Sequence, residues 1–237
     1  MLALITGASR GIGAAAAKRL AADGYTVLIH CCRRRDLAEN LAKELHGHVL
    51  QADFSDLSQV DSLAQTVLDR FGTPDLLVNN AAVSVTGLFQ DIPDDEAETL
   101  FRVNIFSMMR LTKRLLPGMI AGQHGCILNI ASVWGETGAS CEVHYSTSKA
   151  AVIGFTKALA QEVGPSGIRV NCISPGVIDT DMNRIHDADT MQQLADETPL
   201  CRIGKPEEVA EAVAYLASDA ARFITGQVLS VNGGFHT

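Results

Sequence analysis

Short, almost wholly apolar segments alternate with amphipathic segments along all 237 residues of the sequence. Runs rich in Val, Ile, Leu and Cys are typical of strands buried on both faces, as in parallel sheets covered by helices. We predict seven strands: Ala3–Thr6, Thr26–Cys31, His48–Gln51, Leu76–Asn79, Cys126–Ile130, Arg169–Ile173 and Gln227–Val231. We predict helices at Gly13–Ala22, Asp36–Leu45, Leu57–Phe71, Asp95–Ala121, His144–Gly164 and Pro206–Ala217. The alternation predicts an α/β fold: a doubly wound, seven-stranded parallel sheet with helices on both faces.

The sequence contains no low-complexity linker, so we expect residues 1–237 to form a single Rossmann-type domain. One segment, residues 179–199, breaks the alternation because it follows the sixth strand but is polar and helical. Insertions after the carboxyl end of a strand lie on the ligand side of such a sheet. We therefore expect a mobile lid or a substrate-binding helix pair there; the alternative is an inert surface excursion.

Composition excludes several classes of function. Lys and Arg number 19 and Asp and Glu number 27, which gives a net charge of −8 without basic blocks. Nucleic acid and anionic membranes are therefore not expected as main partners. No apolar run has transmembrane length and no signal peptide is recognisable, so we expect a cytoplasmic location. The six cysteines show no zinc spacing and the seven histidines form no HExxH motif, so we expect reduced thiols and no metal site.

A glycine-rich turn follows the first predicted strand directly. Residues 6–13 read Thr-Gly-Ala-Ser-Arg-Gly-Ile-Gly, and Gly11, Gly13 and Ala16 fit the G-x-G-x-x-A pattern of dinucleotide-binding units. Such glycines let the backbone approach a pyrophosphate, and the next helix offers free N–H groups and the positive end of its dipole. The site is predicted to include Gly7, Ser9, Arg10, Gly11, Ile12 and Gly13.

The end of the second strand indicates which dinucleotide binds. NAD sites usually place Asp or Glu about 20 residues after the turn, at the end of the second strand, but here no carboxylate stands between that strand and Asp36. Arg33, Arg34 and Arg35 stand there instead, and Arg10 lies within the turn. Two guanidinium groups would suit the 2′-phosphate of NADPH through charge-assisted hydrogen bonds. We predict NADPH rather than NADH, bound by Arg33 and Arg10; the alternative is that the arginine run is only a solvated helix start.

Four further motifs follow in order along the chain. They are Asn79-Asn80-Ala81-Ala82, Ser132, Tyr145-Ser146-Thr147-Ser148-Lys149 and Pro175-Gly176. Together with the glycine turn they resemble the short-chain dehydrogenase/reductase family over essentially the whole chain, and within it the bacterial 3-oxoacyl-acyl-carrier-protein reductases. Ala82 stands where the family usually has glycine, and we expect the additional methyl group to be tolerated.

The Tyr145–Lys149 pair carries the predicted chemistry. Residues four apart project from one face of a helix. A phenol pKa of about 10 is too high for acid–base work at neutral pH, and a neighbouring ammonium would lower it. The resemblance implies that Tyr145 is the general acid in reduction and that Ser132 orients the carbonyl. It also implies that Lys149 binds the nicotinamide ribose, and that Asn104 holds a water linking Lys149 to solvent.

The resemblance assigns the remaining cofactor contacts. Asp53, with Phe54 beside it, would accept from the adenine amino group, although Asp53 could instead serve only as a turn residue. The other assigned residues are Asn80 and Ala81 along the adenosine ribose, and Ile178 and Thr180, just past Pro175 and Gly176, at the nicotinamide carboxamide.

The resemblance also implies a substrate and an assembly. The substrate would be a 3-oxoacyl thioester on acyl carrier protein, as in fatty acid synthesis, and the assembly a homotetramer packed through Asp95–Ala121 and His144–Gly164. Gln123 and Ser166, however, replace basic residues that would dock the acidic carrier. Other basic residues could compensate: Arg110, Lys113 and Arg114.

Two other functions remain open on sequence grounds. One is a reductase or alcohol dehydrogenase for a free small-molecule ketone, sugar or secondary alcohol. The other is a catalytically idle NADPH-binding sensor or scaffold, which the presence of both Tyr145 and Lys149 disfavours.

Overall fold

A computed structural model describes residues 1–183 and 187–236. Its seven strands are β1 Leu2–Ile5, β2 Thr26–Cys31, β3 His48–Gln51, β4 Leu76–Asn79, β5 Gly125–Ile130, β6 Ile168–Pro175 and β7 Val228–Val231. All pair in parallel, in the order β3-β2-β1-β4-β5-β6-β7. The predicted doubly wound α/β sheet is confirmed.

The strand order reverses direction between β1 and β4. From β1 the chain proceeds outward to β2 and β3, and it then returns to add β4 on the other side of β1. In doubly wound sheets, ligands bind in the crevice outside the carboxyl ends of the strands at such a switch point. Here the glycine-rich turn follows β1 and Asn80 follows β4, so the fold brings two of the predicted motifs to one crevice.

Helices cover both faces of the sheet. They are α1 Gly11–Ala22, α2 Arg35–Leu45, α3 Leu57–Phe71, α4 Asp94–Phe101, α5 Ser107–Gly122, α6 Trp134–Thr137, α7 Val143–Val163, α8 Ala188–Glu197 and α9 Pro206–Ala217. Side chains of α1, α2 and α9 form one apolar layer with the sheet, and those of α3, α5 and α7 form the other.

The apolar character of the strands follows from these two layers. Ala3 and Ile5 of β1 belong to the layer under α1, whereas Leu4 between them belongs to the layer under α3. The same alternation places Ile29 of β2 in the first layer and Leu28 in the second. Because both faces are buried, neither set of side chains is polar, which is why the strands read as continuous apolar runs.

The helix predicted at Asp95–Ala121 is not continuous. A π-helical turn at Arg102–Phe106 separates α4 from α5, and the backbone N–H of Ser107 donates to the carbonyl of Arg102, five residues back. Hydrophobic periodicity does not reveal one extra residue in a helical turn, so the prediction of a single helix was wrong at this point. Single π-turns of this kind occur often at functional sites.

The predicted lid, residues 179–199, contains one α-helix within its described part, α8, rather than a pair. Asp187 caps this helix, since its Oδ1 accepts from the backbone N–H of Thr190 at 2.8 Å. Residues 184–186 of the predicted lid lie outside the described residues. No helix among the described residues is long and apolar enough to cross a membrane.

Candidate active site

A cleft of about 900 Å³ opens at the carboxyl ends of the strands. Its walls include seventeen of the nineteen residues that the sequence analysis assigned to catalysis or cofactor binding. The two exceptions are Gly13 and Asn104, which do not line the cleft. The structure therefore brings the motifs from five separate segments of the chain to one surface.

Two glycines of the turn are required by close contacts. A Cβ on Gly13 would lie 2.5 Å from the carbonyl oxygen of Gly7, so Gly13 allows α1 to pack against the turn. Gly7 itself has a φ of +64°, and a Cβ there would lie 2.8 Å from the Cα of Ala81. Glycine suits both positions because it has no Cβ, and it suits position 7 also because it populates the left-handed region readily.

Hydrogen bonds join the glycine turn to the segment after β4. The hydroxyl oxygen of Thr6 accepts from the backbone N–H of Asn80 at 2.9 Å and from that of Ala81 at 3.0 Å. The Asn80 side-chain amide donates to the carbonyls of Thr6 and Gly7 at 2.9 and 3.1 Å. Sequence reasoning did not assign Thr6 to the site, although a polar residue at the end of an apolar strand was the available signal.

Ala82 lies next to this junction and does not adopt a positive φ. An L-residue is therefore unstrained there, as expected for the alanine that replaces the usual glycine of the motif.

The start of α1 is suited to an anion. None of the described side chains caps this helix, and its first turn has no acidic residue. Gly11 and Ile12 of this first turn line the cleft. Uncapped N–H groups and the positive end of the helix dipole attract phosphate groups, so the residues present fit the pyrophosphate of a dinucleotide.

The arginines near the second strand have different surroundings. Arg33 and Arg34 line the cleft, whereas Arg35 does not and binds Glu39 at 2.7 Å. Arg34 also binds Asp36, at 3.0 Å. Among the residues that the structure describes, no ion pair within 4.0 Å includes Arg33.

Arg10, the other predicted phosphate ligand, already has a carboxylate partner. Its guanidinium lies 3.2 Å from Asp181, in the segment after β6. The ion pair joins the glycine turn to the predicted lid across the cleft that both residues line. Arg10 would therefore have to be shared with, or released by, Asp181 in order to bind a phosphate.

Asp53 is both a turn residue and part of the cleft wall. Its Oδ1 accepts from the backbone N–H and from the hydroxyl of Ser55, both at 2.8 Å. These two hydrogen bonds lower the pKa of the Asp53 carboxyl, and the charge of Arg33 acts in the same direction. The carboxylate is thus ionised and held in place, which suits an acceptor.

Ser132, Tyr145 and Lys149 are buried together in the cleft, with 8%, 8% and 3% of their surfaces exposed. The Lys149 ammonium donates to the carbonyl of Ile130 at 2.9 Å, and its Nζ lies 5.6 Å from the centre of the Tyr145 ring. Ser132 follows β5 and Tyr145 lies in the first turn of α7, so two neighbouring elements position the group.

Burial, rather than the neighbouring ammonium, dominates the pKa of Tyr145. Desolvation raises this pKa above its ordinary value, and a hydrogen bond with Ser132 only partly opposes the rise. Desolvation also lowers the pKa of Lys149 to about 8. The lowering that the sequence analysis expected is therefore not the net effect, because both groups have lost water and Lys149 is engaged by Ile130.

Asn104 lies in the π-helical turn and holds it against the segment after β4. Its side-chain oxygen accepts from the backbone N–H of Val83 at 2.9 Å, and its amide donates to the Val83 carbonyl at 2.9 Å. The amide also donates to the hydroxyl of Ser148, one residue before Lys149, at 3.0 Å. These bonds use both amide hydrogens, so a water that Asn104 holds would have to bind its side-chain oxygen or its backbone.

The family model described as enoyl-(acyl carrier protein) reductase matches residues 7–236. The chain belongs to the short-chain dehydrogenase/reductase family. Curated relatives include the uncharacterized oxidoreductase YmfI of Bacillus subtilis, 42% identical over 99% of this chain and 98% of that protein. Another is the 3-oxoacyl-[acyl-carrier-protein] reductase FabG of Escherichia coli, 39% identical over 99% and 97% of the two chains.

A solved structure has a fold similar to that of this chain. It is a Brucella melitensis 16M protein described as a ribose-5-phosphate isomerase, with 34% identity and a TM-score of 0.94 over 99% of this chain and 92% of that one. Because the chain belongs to the short-chain dehydrogenase/reductase family, it is an NAD(P)-dependent oxidoreductase that acts on CH–OH or C=O groups.

Gln123 and Ser166 stand where basic residues were expected to dock an acidic carrier protein. Two of the basic residues that could compensate for them, Arg110 and Arg114, already form ion pairs within the protein. Arg110 and Arg114 both bind Asp61 of α3, with Nε–oxygen distances of 2.9 and 2.8 Å. The hydrogen bonds that these two guanidinium groups donate strongly lower the pKa of the Asp61 carboxyl, and their charge acts in the same direction. An acidic partner would therefore have to compete with Asp61 for both guanidinium groups.

Proposed function

We propose that the protein reduces a ketone to a secondary alcohol with NADPH. The observation that carries this proposal is the burial of Ser132, Tyr145 and Lys149 in the same cleft as the uncapped start of α1 and Arg33. The first group can place and protonate a carbonyl oxygen, and the second can bind a phosphorylated dinucleotide. Bound NADPH would supply the hydride for the carbonyl carbon.

Tyr145 acts as the proton donor in this proposal. Burial raises the pKa of its phenol, so the hydroxyl stays protonated at neutral pH and is ready to donate to the carbonyl oxygen. Ser132, whose side chain interacts with Tyr145, donates a second hydrogen bond to the same oxygen. The two hydroxyls hold the substrate oxygen in one position, so positioning contributes to the rate together with proton transfer.

Lys149 acts on the proton donor and on the cofactor. Its ammonium stabilises the phenolate that remains after Tyr145 has donated its proton, and it binds the nicotinamide ribose hydroxyls. The proton is replaced through a water held by Asn104. The hydrogen bond from Asn104 to Ser148 supports this arrangement, since it fixes the π-helical turn against the helix that carries Lys149.

The predicted lid completes the site. Thr190 and Leu194 of α8 and Met182 before it line the cleft, so described residues of the predicted lid form part of its wall. We propose that this segment covers the substrate. Closure would exclude water and strengthen the electrostatic interactions around Tyr145.

Two substrate classes are supported by different observations. The relation to 3-oxoacyl-[acyl-carrier-protein] reductases favours a 3-oxoacyl thioester on acyl carrier protein. Gln123 and Ser166, and the pairing of Arg110 and Arg114 with Asp61, favour a free ketone instead, because they leave less positive charge for an acidic carrier. The thioester is the leading proposal and the free ketone is the alternative.

The chemistry is tested by Tyr145→Phe. Removing the hydroxyl should lower kcat for ketone reduction by at least about 10²–10³-fold, while the Kd for NADPH changes little. Tyr215→Phe is the matched control, since Tyr215 lies on α9 and is 45% exposed, away from the cleft. Full activity in Tyr145→Phe would refute the assigned proton donor.

The substrate is tested by comparing kcat/KM for 3-oxoacyl thioesters on acyl carrier protein with kcat/KM for free diketones, sugars and cyclic ketones. A preference for the carrier-bound thioester supports the leading proposal, and a preference for a free ketone supports the alternative. Tight NADPH binding without consumption of any carbonyl in the panel would instead indicate a sensor or scaffold.

We also propose a homotetramer. Large apolar side chains are exposed along α5 and the π-helical turn before it: Phe106 at 55%, Met109 at 42% and Ile120 at 39%. Packing these faces against a second copy would remove apolar surface from water.

A further inference from the structure

We infer that His30 is a positioning residue for the dinucleotide. It acts indirectly, because it joins three backbone segments around the adenosine end of the cleft: its own strand β2, the glycine-rich turn and the segment after β3. This inference rests on the proposed NADPH site. His30 belongs to β2, is 2% exposed and lines the cleft, although no sequence motif pointed to it.

The two ring nitrogens of His30 bind two different segments. The backbone N–H of Gly7, in the glycine-rich turn, donates to Nδ1 at 3.1 Å. On the other side of the ring, Nε2 lies 3.1 Å from the carbonyl oxygen of Ala52, in the segment that leads to Asp53. The ring therefore connects the glycine-rich turn, where the pyrophosphate would bind, to Asp53, which is proposed to accept a hydrogen bond from the adenine amino group.

These partners fix one protonation state. Because Gly7 offers an N–H, Nδ1 has to accept; because Ala52 offers a carbonyl, Nε2 has to carry the proton. Neutral His30 with its proton on Nε2 satisfies both partners, and an imidazolium would place a second N–H against that of Gly7. Burial acts in the same direction, since it lowers the pKa of His30 to about 4.

Two further contacts make the connection rigid. The backbone carbonyl of His30 accepts from the N–H of Ala8 at 2.8 Å, so both backbone and side chain hold the turn. The His30 ring also stacks on Phe54, with centroids 4.2 Å apart and planes at 19°. Phe54 lines the same cleft next to Asp53, so a change at His30 would move the turn and the Asp53 loop together.

The position of His30 predicts a specific pattern of effects. The groups that it holds face the pyrophosphate and the adenine, which NADH and NADPH share. Loss of the imidazole should therefore weaken both cofactors by the same factor, unlike a change at Arg33. It should leave kcat at saturating cofactor nearly unchanged, because Tyr145 and Lys149 lie on other elements.

The test measures direct binding of NADPH and NADH to three variants. In His30→Leu, which keeps bulk but makes neither hydrogen bond, Kd for both cofactors should rise about tenfold. His30→Asn, whose side-chain oxygen can still accept from Gly7, should recover part of that loss. His30→Gln, which can reach Ala52 but offers no acceptor at the Nδ1 position, should recover less.

Val27→Ala is the control for general destabilisation. Val27 is fully buried on the same strand and belongs to the apolar layer under α1. This variant should lower the thermal midpoint and keep Kd within about twofold of the wild type. An equal rise of Kd in Val27→Ala and His30→Leu would overturn the inference. An unchanged Kd in His30→Leu, or a fall in kcat without a change in Kd, would overturn it as well.

A measurement on the wild type keeps the inference testable if His30→Leu does not fold. Long-range ¹H–¹⁵N NMR of histidine-labelled protein should show an unprotonated Nδ1 and a protonated Nε2 for His30. The opposite tautomer or an imidazolium at neutral pH would overturn it. Failure of the wild type to bind NADPH or NADH would instead contradict the proposed function itself.

Discussion

Lys149 is almost wholly out of water, and this governs how its charge depends on pH. Its ammonium has one described protein acceptor, the carbonyl of Ile130, and desolvation brings its pKa down from 10.5 to about 8. The charged form proposed to stabilise the Tyr145 phenolate is therefore lost within an accessible pH range. An ordinary exposed lysine would keep its charge to a much higher pH.

This gives a prediction for the pH profile. The kcat/KM for NADPH in ketone reduction, which reports groups of the free enzyme, should fall above about pH 8 as Lys149 loses its proton. Initial rates between pH 6 and about 10 test it. Lys149→Arg should be slower but should lack this alkaline limb, because a guanidinium stays charged. A flat wild-type profile would contradict the assignment.

The lowered pKa of Lys149 also makes the stability of the fold depend on pH. Between the folded pKa of about 8 and the ordinary value of 10.5, the unfolded chain binds the proton that the folded chain has released. Stability then rises with pH in this window. Lys149 therefore lowers stability at neutral pH, a cost that accompanies placing a charge in the site.

Arg33 is expected to decide between the two nicotinamide dinucleotides. It lines the cleft, and no described ion pair engages it, whereas Arg35 binds Glu39 outside the cleft. Arg33→Ala should raise the Kd for NADPH by about 10–100-fold and change the Kd for NADH much less. Arg35→Ala is the matched control and should change neither. Equal losses for both cofactors in Arg33→Ala would show that the 2′-phosphate binds elsewhere.

At the scale of elements, the π-helical turn at Arg102–Phe106 lies between α4 and α5 and is hydrogen-bonded to α7, the helix that carries Tyr145 and Lys149. Asn104 makes three hydrogen bonds from this turn, two to Val83 and one to Ser148. All three lie at 2.9–3.0 Å, and Asn104 is 3% exposed. The turn thus positions the segment after β4 and the start of α7 at once.

Asn104→Ala should therefore destabilise the protein by about 2–4 kcal/mol, since it leaves buried partners without hydrogen bonds. Ser148→Ala removes only one of the three bonds and should cost about 1 kcal/mol. Urea unfolding at one fixed protein concentration measures both. A loss in Asn104→Ala no larger than that in Ser148→Ala would indicate that the Val83 contacts contribute little.

At the scale of the whole molecule, the strand order decides where the site lies. Reversal between β1 and β4 places the glycine turn beside Asn80, and the order of β4, β5 and β6 carries Ser132 and Pro175 to the same edge. The helices bury both faces of the sheet, so the carboxyl edge, rather than a face, is where these strands offer polar groups to a ligand. Exposed apolar side chains on α5 mark a second surface, which the proposed homotetramer would cover.

The assembly can be measured directly. Light scattering on the wild type should give four times the 25.3 kDa chain mass. Met109→Glu, which places a charge on the exposed apolar face of α5, should shift the protein to smaller species. Lys43→Glu, on the exposed side of α2, is the control and should leave the tetramer intact. A monomeric wild type would contradict the proposed assembly.

Much of this protein follows from the sequence alone. Strand positions, the parallel sheet and the glycine turn depend on patterns within a few consecutive residues, so they are visible before any folding. Tyr145 and Lys149 are likewise recognisable as a pair, because four residues span one helical turn. The family motifs also allowed Ser132 to be assigned to the same site, although it lies 13 residues from Tyr145 in the sequence.

The tertiary structure alone decided what depends on residues distant in sequence. Gly7 meets His30, Arg10 meets Asp181 and Asn104 meets Val83 only after the sheet and its crossovers have formed. Burial is decided in the same way: it raises the pKa of Tyr145 where sequence reasoning expected the ammonium to lower it. Loss of water depends on every element packed around a group, and no local pattern contains that information.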